Sequence, residues 1–142
     1  MKEISLIFFT YIFIGGYMNN KEEKYINIQL YALIFTLISV FISFLLTYNQ
    51  KLEIKELKTL FNSKQTFKIA KFNRTLILIL GIIFLYVNYQ LYKISKKENE
   101  NLKPYILQIF ASILTVITAL TTLYVIFLSN KGDVSDIENP II

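Results

Sequence analysis

The 142-residue sequence contains no cysteine, no histidine and no tryptophan. Without cysteine the chain forms no disulfide, and without cysteine and histidine it lacks the usual protein ligands of zinc and other transition metals. Thiolate nucleophiles and histidine general bases are excluded for the same reason. We therefore expect no metal and no other cofactor, and no catalytic site built on cysteine or histidine.

Charged residues are missing from four long blocks of the sequence, although 18% of all residues are charged and 54% are hydrophobic. The charge-free blocks are 4–18, 25–48, 75–92 and 104–129. Because an ionised side chain is costly inside lipid, this segregation is typical of membrane-spanning helices. At 1.5 Å per residue the second and fourth blocks reach about 36–39 Å, whereas the first reaches only about 22 Å.

The blocks predict an all-α fold, a polytopic bundle of four transmembrane helices in a single membrane domain that covers 1–142. The four spans would form two helical hairpins. For the short first block two alternatives stay open, a cleaved signal peptide and a re-entrant or interfacial segment, since Lys2 precedes the apolar run. Its end, from Gly15 to Met18, lacks a small-x-small cleavage pattern, and we predict a retained helix.

The distribution of lysine and arginine predicts the orientation. With four spans, one side of the membrane carries the N-terminus, the segment 49–74 and the C-terminus, which together hold nine basic residues. The opposite side holds six. The positive-inside rule then favours a multi-pass protein of the cell (inner) membrane with cytosolic N- and C-termini.

The second and fourth blocks share a pattern of small and polar residues at successive spacings of 3, 4, 3 and 4, with a constant offset of 79 residues. Such alternation places the residues on one helix face, and we call each set a seam. The second-block seam consists of Gln29, Ala32, Thr36, Ser39 and Ser43. The fourth-block seam consists of Gln108, Ala111, Thr115, Thr118 and Thr122.

Two interpretations of the seams remain open. Small and hydroxylated residues let helices pack closely in lipid, so both seams are candidates for helix–helix contact. Alternatively, their hydroxyl and amide groups line a pore at the centre of the bundle or of an oligomer. The constant offset also suggests that the chain is a direct repeat of two hairpins, related by a pseudo-two-fold axis along the membrane normal.

The segment 49–74 is strongly basic, and its apolar residues Ile54, Leu57 and Leu60 fall at helical spacing. We predict an amphipathic cytosolic helix, or two, on the inner leaflet between the second and third spans. A solvated connector and a partner- or nucleotide-binding segment are alternatives. Lipid-headgroup contacts are expected from Lys51, Lys55, Lys58, Lys64, Lys68, Lys71 and Arg74. The acidic tail 130–142 is expected to be a disordered end.

No Asp, Glu, Lys, Arg or His lies inside a block, so proton-coupled transport and ion pumping are not expected. No base-activated nucleophile is visible either, and we predict that the protein is not an enzyme. Our leading hypothesis is a small oligomeric membrane protein that forms a pore or perturbs the membrane, like an effector, a holin or a channel. One alternative is a structural, accessory or immunity subunit that docks on a larger membrane complex. Another is a carrier of uncharged solutes or a flippase.

The expected partners follow from the same features. The basic residues flank apolar blocks, so anionic lipid headgroups are the predicted partners and nucleic acid is not. A homo-oligomer or a larger membrane complex is expected from the two seams.

Overall fold

A computed structural model describes residues 20–129, which form three α-helices joined by two short loops. The helices are α1 (Asn20–Ile54), α2 (Ser63–Lys97) and α3 (Lys103–Leu128). All three are long and apolar enough to cross a membrane. The predicted helical membrane protein is thereby confirmed, but with three spans in the described part of the chain.

The predicted count of four spans is not supported by these three helices. The first predicted span, 4–18, and the acidic tail, 130–142, lie outside the described residues. The predicted spans 25–48, 75–92 and 104–129 each lie within or nearly within one helix. The 35 residues of α1, and likewise those of α2, extend about 52 Å, so both helices are longer than the ~30 Å hydrocarbon core.

The central helix is α2, which packs against both α1 and α3. Its antiparallel course along α1 is defined by contacts at both ends, between Tyr25 and Tyr86 and between Asn49 and Thr66. In α1 the buried positions include Ala32, Ser39 and Leu46, seven residues apart. This period is typical of helices that cross at about 20° with interlocking side chains.

The three helices share an apolar core close to the α1–α2 loop. We call this end of the bundle, with residues 55–62, the first-loop end, and the opposite end, with residues 98–102, the second-loop end. Leu46, Ala70 and Ile126, one from each helix, form the core cluster. Elsewhere large apolar side chains are exposed, for example Leu37 at 70%. Such surfaces are unusual in soluble proteins and normal where lipid replaces water.

The expected amphipathic helix on the inner leaflet is not formed between the first two described spans, and this prediction is wrong. Within 49–74, α1 continues to Ile54 and α2 already begins at Ser63. The side chain of Asn62 caps α2 by accepting from the backbone N–H of Gln65, whose side chain accepts from the N–H of Asn62. A capped helix without a later breaker extends cooperatively into the apolar block, so the basic segment becomes two helix ends and a loop.

Asn49 holds the loop of the first-loop end against α1. Its Oδ1 accepts a 2.9 Å bond from the backbone N–H of Phe61, and its Nδ2 donates to Thr66 Oγ1 at 3.4 Å. Asn49 is 3% exposed, so these bonds satisfy an amide that burial would otherwise penalise. The loop is therefore positioned by a side chain from the helix that precedes it.

Candidate functional site

The α1–α2 interface contains a fully buried amide between two serines. Asn73 of α2 is 0% exposed. Ser39 Oγ donates to Asn73 Oδ1 at 2.7 Å, and Asn73 Nδ2 donates to Ser43 Oγ, also at 2.7 Å. Because Ser39 and Ser43 lie one turn apart on α1, a single asparagine reaches both. Each such interhelical bond in a membrane is worth about 0.6–2 kcal/mol.

The α2–α3 interface contains a second buried amide, closer to the second-loop end. Asn88 Nδ2 donates to Ser112 Oγ at 2.7 Å, and Ser112 in turn donates to the backbone oxygen of Gln108 at 2.9 Å. Asn88 is therefore bonded to the neighbouring helix α3. Asn88 thus makes one hydrogen bond to α3, whereas Asn73 makes two hydrogen bonds to α1.

Gly81 brings α2 and α3 close together between these two amides. A Cβ at this position would lie 3.4 Å from Val116 Cγ2 of α3 and 3.8 Å from Thr115 Cγ2. The glycine is buried, and it packs directly against side chains of the other helix. Small residues are typical of membrane helix interfaces because they permit this approach.

The second-block seam lies on the side of α1 that faces α2. Ala32 and Ser39 are buried, and Gln29, Thr36 and Ser43 are half-buried. Ser39 and Ser43 bond to Asn73, whereas Thr36 Oγ1 donates to the backbone oxygen of Ala32 at 2.8 Å. In this structure the seam serves helix packing within one chain.

The fourth-block seam is placed differently. Gln108, Ala111, Thr115 and Thr118 are exposed and only Thr122 is half-buried. The hydroxyls of Thr115 and Thr118 donate to backbone oxygens four residues earlier in their own helix, at 3.0 and 2.9 Å. The face that α3 turns towards the bundle is the neighbouring one, with the buried residues Ser112, Ala119 and Ile126.

The proposed direct repeat is not supported by this placement. The seams align at an offset of 79 residues, whereas the buried residues of α1 and α3 correspond at an offset of 80, as in the pairs Ala32 and Ser112, Ser39 and Ala119, and Leu46 and Ile126. One residue rotates a helix face by about 100°. The two helices therefore do not bury the residues that the alignment pairs.

The seven basic residues predicted to contact lipid headgroups are all near the first-loop end, distributed over α1, the loop and α2. Six are exposed and Arg74 is half-buried, and they are Lys51, Lys55, Lys58, Lys64, Lys68, Lys71 and Arg74. Lys71 Nζ lies 5.0 Å from the centroid of the Phe127 ring of α3, within the range of a cation–π contact. Headgroup binding by this set stays a prediction.

Comparison of the chain with protein-family models, with curated proteins and with solved structures gives no match. What can be said of its function therefore rests on the residues and their placement.

Sequence reasoning missed Asn73, Ser112 and Asn49 as interface residues. Asn73 lies between Phe72 and Arg74, and its charged neighbour placed it in the segment assigned to the membrane surface. A heptad pattern was nevertheless present, since Thr66, Asn73, Leu80 and Val87 are buried on α2 at intervals of seven. The heptad continues from the apolar block 75–92 back to Thr66, and this continuation predicts that Asn73 faces another helix.

Proposed function

We propose that this protein assembles through α3 into an oligomer that forms a pore or otherwise perturbs the membrane. The observation that carries the proposal is the exposure of the fourth-block seam. Gln108, Ala111 and Thr118 lie on the outside of the three-helix unit, where small and polar residues are a poor match for lipid. Thr115 is also exposed, at the edge of the α2–α3 interface beside Gly81. A second copy would cover this surface and bring its polar groups towards a common axis.

The interior of one chain is a poor candidate for the pore. Its buried positions are filled by apolar side chains such as Leu46, Val87 and Ile126, and its buried amides are bonded between helices. A polar path supplied by α3 of several copies is thus favoured over a path through one copy. In such an assembly Gln108, whose side chain amide is exposed, would lie towards the second-loop end of the pore.

Flux from liposomes containing the purified full-length protein tests the proposal. We expect ion or dye release, and we expect Ala111→Phe to reduce it at least tenfold, because a bulky ring prevents close approach of another helix. Ile117→Phe is the matched control, since Ile117 is also exposed but lies about 120° around α3 from Ala111. A stable oligomer without release, or equal loss in both variants, would contradict a pore lined by this face.

A second candidate, a structural, accessory or immunity subunit, is supported by the hydroxyl bonds of the same seam. Thr115 and Thr118 already donate to their own backbone, so the face offers packing more than free hydrogen-bond donors. Extraction in a mild detergent distinguishes the candidates. A stoichiometric second protein that is lost with Ala111→Phe and kept with Ile117→Phe favours the subunit, whereas a homo-oligomer favours the pore.

A further inference from the structure

A cavity of about 290 Å³ lies between α1 and α2 at the second-loop end, at the opposite end of the bundle from the first-loop end. It is lined by Lys21, Lys24 and Tyr25 of α1 and by Gln90, Lys93 and Lys97 of α2. Its volume is many times the ~10–15 Å³ that one water molecule needs. The cavity therefore admits a group of several heavy atoms.

Among residues 20–129, the charged side chains that line the cavity are all lysines. The carboxylates closest in sequence, Glu22 and Glu23 on α1 and Glu98 after α2, are not among the lining residues. Lys93 and Lys97 lie four residues apart on one face of α2, and like charges at this spacing repel. The negative end of the α2 dipole meets the positive end of the α1 dipole here, so the lysines and not the helix ends supply the positive charge.

Aromatic rings hold two of the lysines near the cavity. Lys24 Nζ lies 5.9 Å from the centroid of the Tyr25 ring, and Lys93 Nζ lies 5.2 Å from that of Tyr89. Tyr25 in turn contacts Tyr86 edge to face, with centroids 6.0 Å apart. These contacts limit the freedom of long side chains that would otherwise lose entropy when they bind a ligand.

The depth of the cavity indicates the ligand. The charge-free block of α1 begins at residue 25 and that of α2 ends at residue 92, so the cavity lies where both helices leave the hydrocarbon. Tyrosines at this level are typical of the headgroup region. Basic pockets between spanning helices are suited to phosphate groups of lipids, because the lysines meet the phosphate while the acyl chains lie along the apolar helix faces.

We propose that this cavity binds a phosphate group and that the phosphate belongs to the headgroup of an anionic phospholipid. Lys24 and Lys93, one from each helix, bind the phosphate, and the Gln90 amide donates a hydrogen bond to the headgroup. The bound lipid would then connect α1 and α2 at the end that lacks the shared apolar core.

Binding of phosphatidylglycerol to the full-length protein in an uncharged detergent, measured by native mass spectrometry, tests the proposal. At about fivefold in affinity for each basic side chain, K24Q/K93Q is expected to bind roughly twenty-fivefold more weakly. K96Q/K103Q is the matched control, because it removes the same charge from exposed residues that do not line the cavity and should change affinity less than threefold. K24R/K93R keeps the charge and should retain binding.

Three outcomes overturn the proposal. Equal losses in K24Q/K93Q and K96Q/K103Q would mean that only the net charge attracts the lipid. Equal binding of phosphatidylcholine and phosphatidylglycerol would remove the preference for an anionic headgroup. Inorganic phosphate that displaces the lipid from the wild-type protein, but does not bind K24Q/K93Q, would assign the cavity to a soluble phosphate instead of a lipid. None of these measurements depends on flux through a pore.

Discussion

The second-block seam on α1 and the fourth-block seam on α3 have the same spacing and nearly the same residue types, yet they meet different surroundings. On α1, Ala32 and Ser39 are buried against α2. Their counterparts on α3, Ala111 and Thr118, are exposed. The difference arises because α3 turns the adjacent face towards α2. A seam thus identifies a helix face that is suited to packing. It does not identify which helix, of the same chain or of another, packs against that face.

The central helix explains how α1 and α3 come to differ. The face of α2 towards α1 presents Asn73, which needs two polar partners, and these are Ser39 and Ser43 of the seam. The face towards α3 presents Gly81 and Asn88, which need a close neighbour and one hydroxyl, and Ser112 supplies that hydroxyl from outside the seam. The choice of buried face on each helix therefore follows from the residues of α2.

The largest effect is expected from exchanging aligned seam residues for leucine. Ser39→Leu removes the donor to Asn73 and forces a larger side chain into a buried site, so we expect a loss of about 2–3 kcal/mol in the free energy of unfolding. Thr118→Leu, at the aligned position on exposed α3, should change it by less than about 0.5 kcal/mol. Unfolding in mixed detergent–SDS micelles measures both. Equal losses would break the distinction between a buried and an exposed seam.

A smaller effect is expected from the two asparagines of α2. Asn73→Leu removes two interhelical hydrogen bonds, keeps the number and branching of the side-chain heavy atoms, and should cost about 1–2 kcal/mol, whereas Asn88→Leu removes one bond and should cost about half as much. The same unfolding titration gives both values. A larger loss of unfolding free energy in Asn88→Leu than in Asn73→Leu would contradict this order. It would mean that the α2–α3 interface depends more on its buried amide than the α1–α2 interface does.

The smallest effect is expected from the aligned threonines. Thr36 and Thr115 both donate to the backbone oxygen four residues earlier, at 2.8 and 3.0 Å. Exchange for valine keeps the shape and removes only a bond within the helix, so each variant should change the free energy of unfolding by less than about 0.5 kcal/mol. A large loss for Thr36→Val alone would show that its hydroxyl serves α2 as well.

The orientation of the protein, its oligomeric state and any pore stay predictions, but much of the fold was predictable from the sequence. The three described spans coincide with charge-free blocks, because excluding charge from lipid is a strong and local requirement. The ends of the helices were predicted less well. Hydropathy predicts the start of α2 at residue 75, directly after Arg74, whereas the Asn62 cap starts the helix at Ser63. Hydropathy locates the membrane, and local hydrogen bonding decides where a helix begins.

What the sequence by itself determined is that α1, α2 and α3 are helices long and apolar enough to cross a membrane, and that each has small and polar residues on one side. This follows from the cost of charge and of unpaired backbone groups in lipid, which acts on each segment separately. Only the tertiary structure decided which face of α3 is buried and that Asn73 bonds to two serines. Both depend on what a neighbouring helix presents at the same depth, and a rotation of one residue, about 100°, exchanges a buried face for an exposed one.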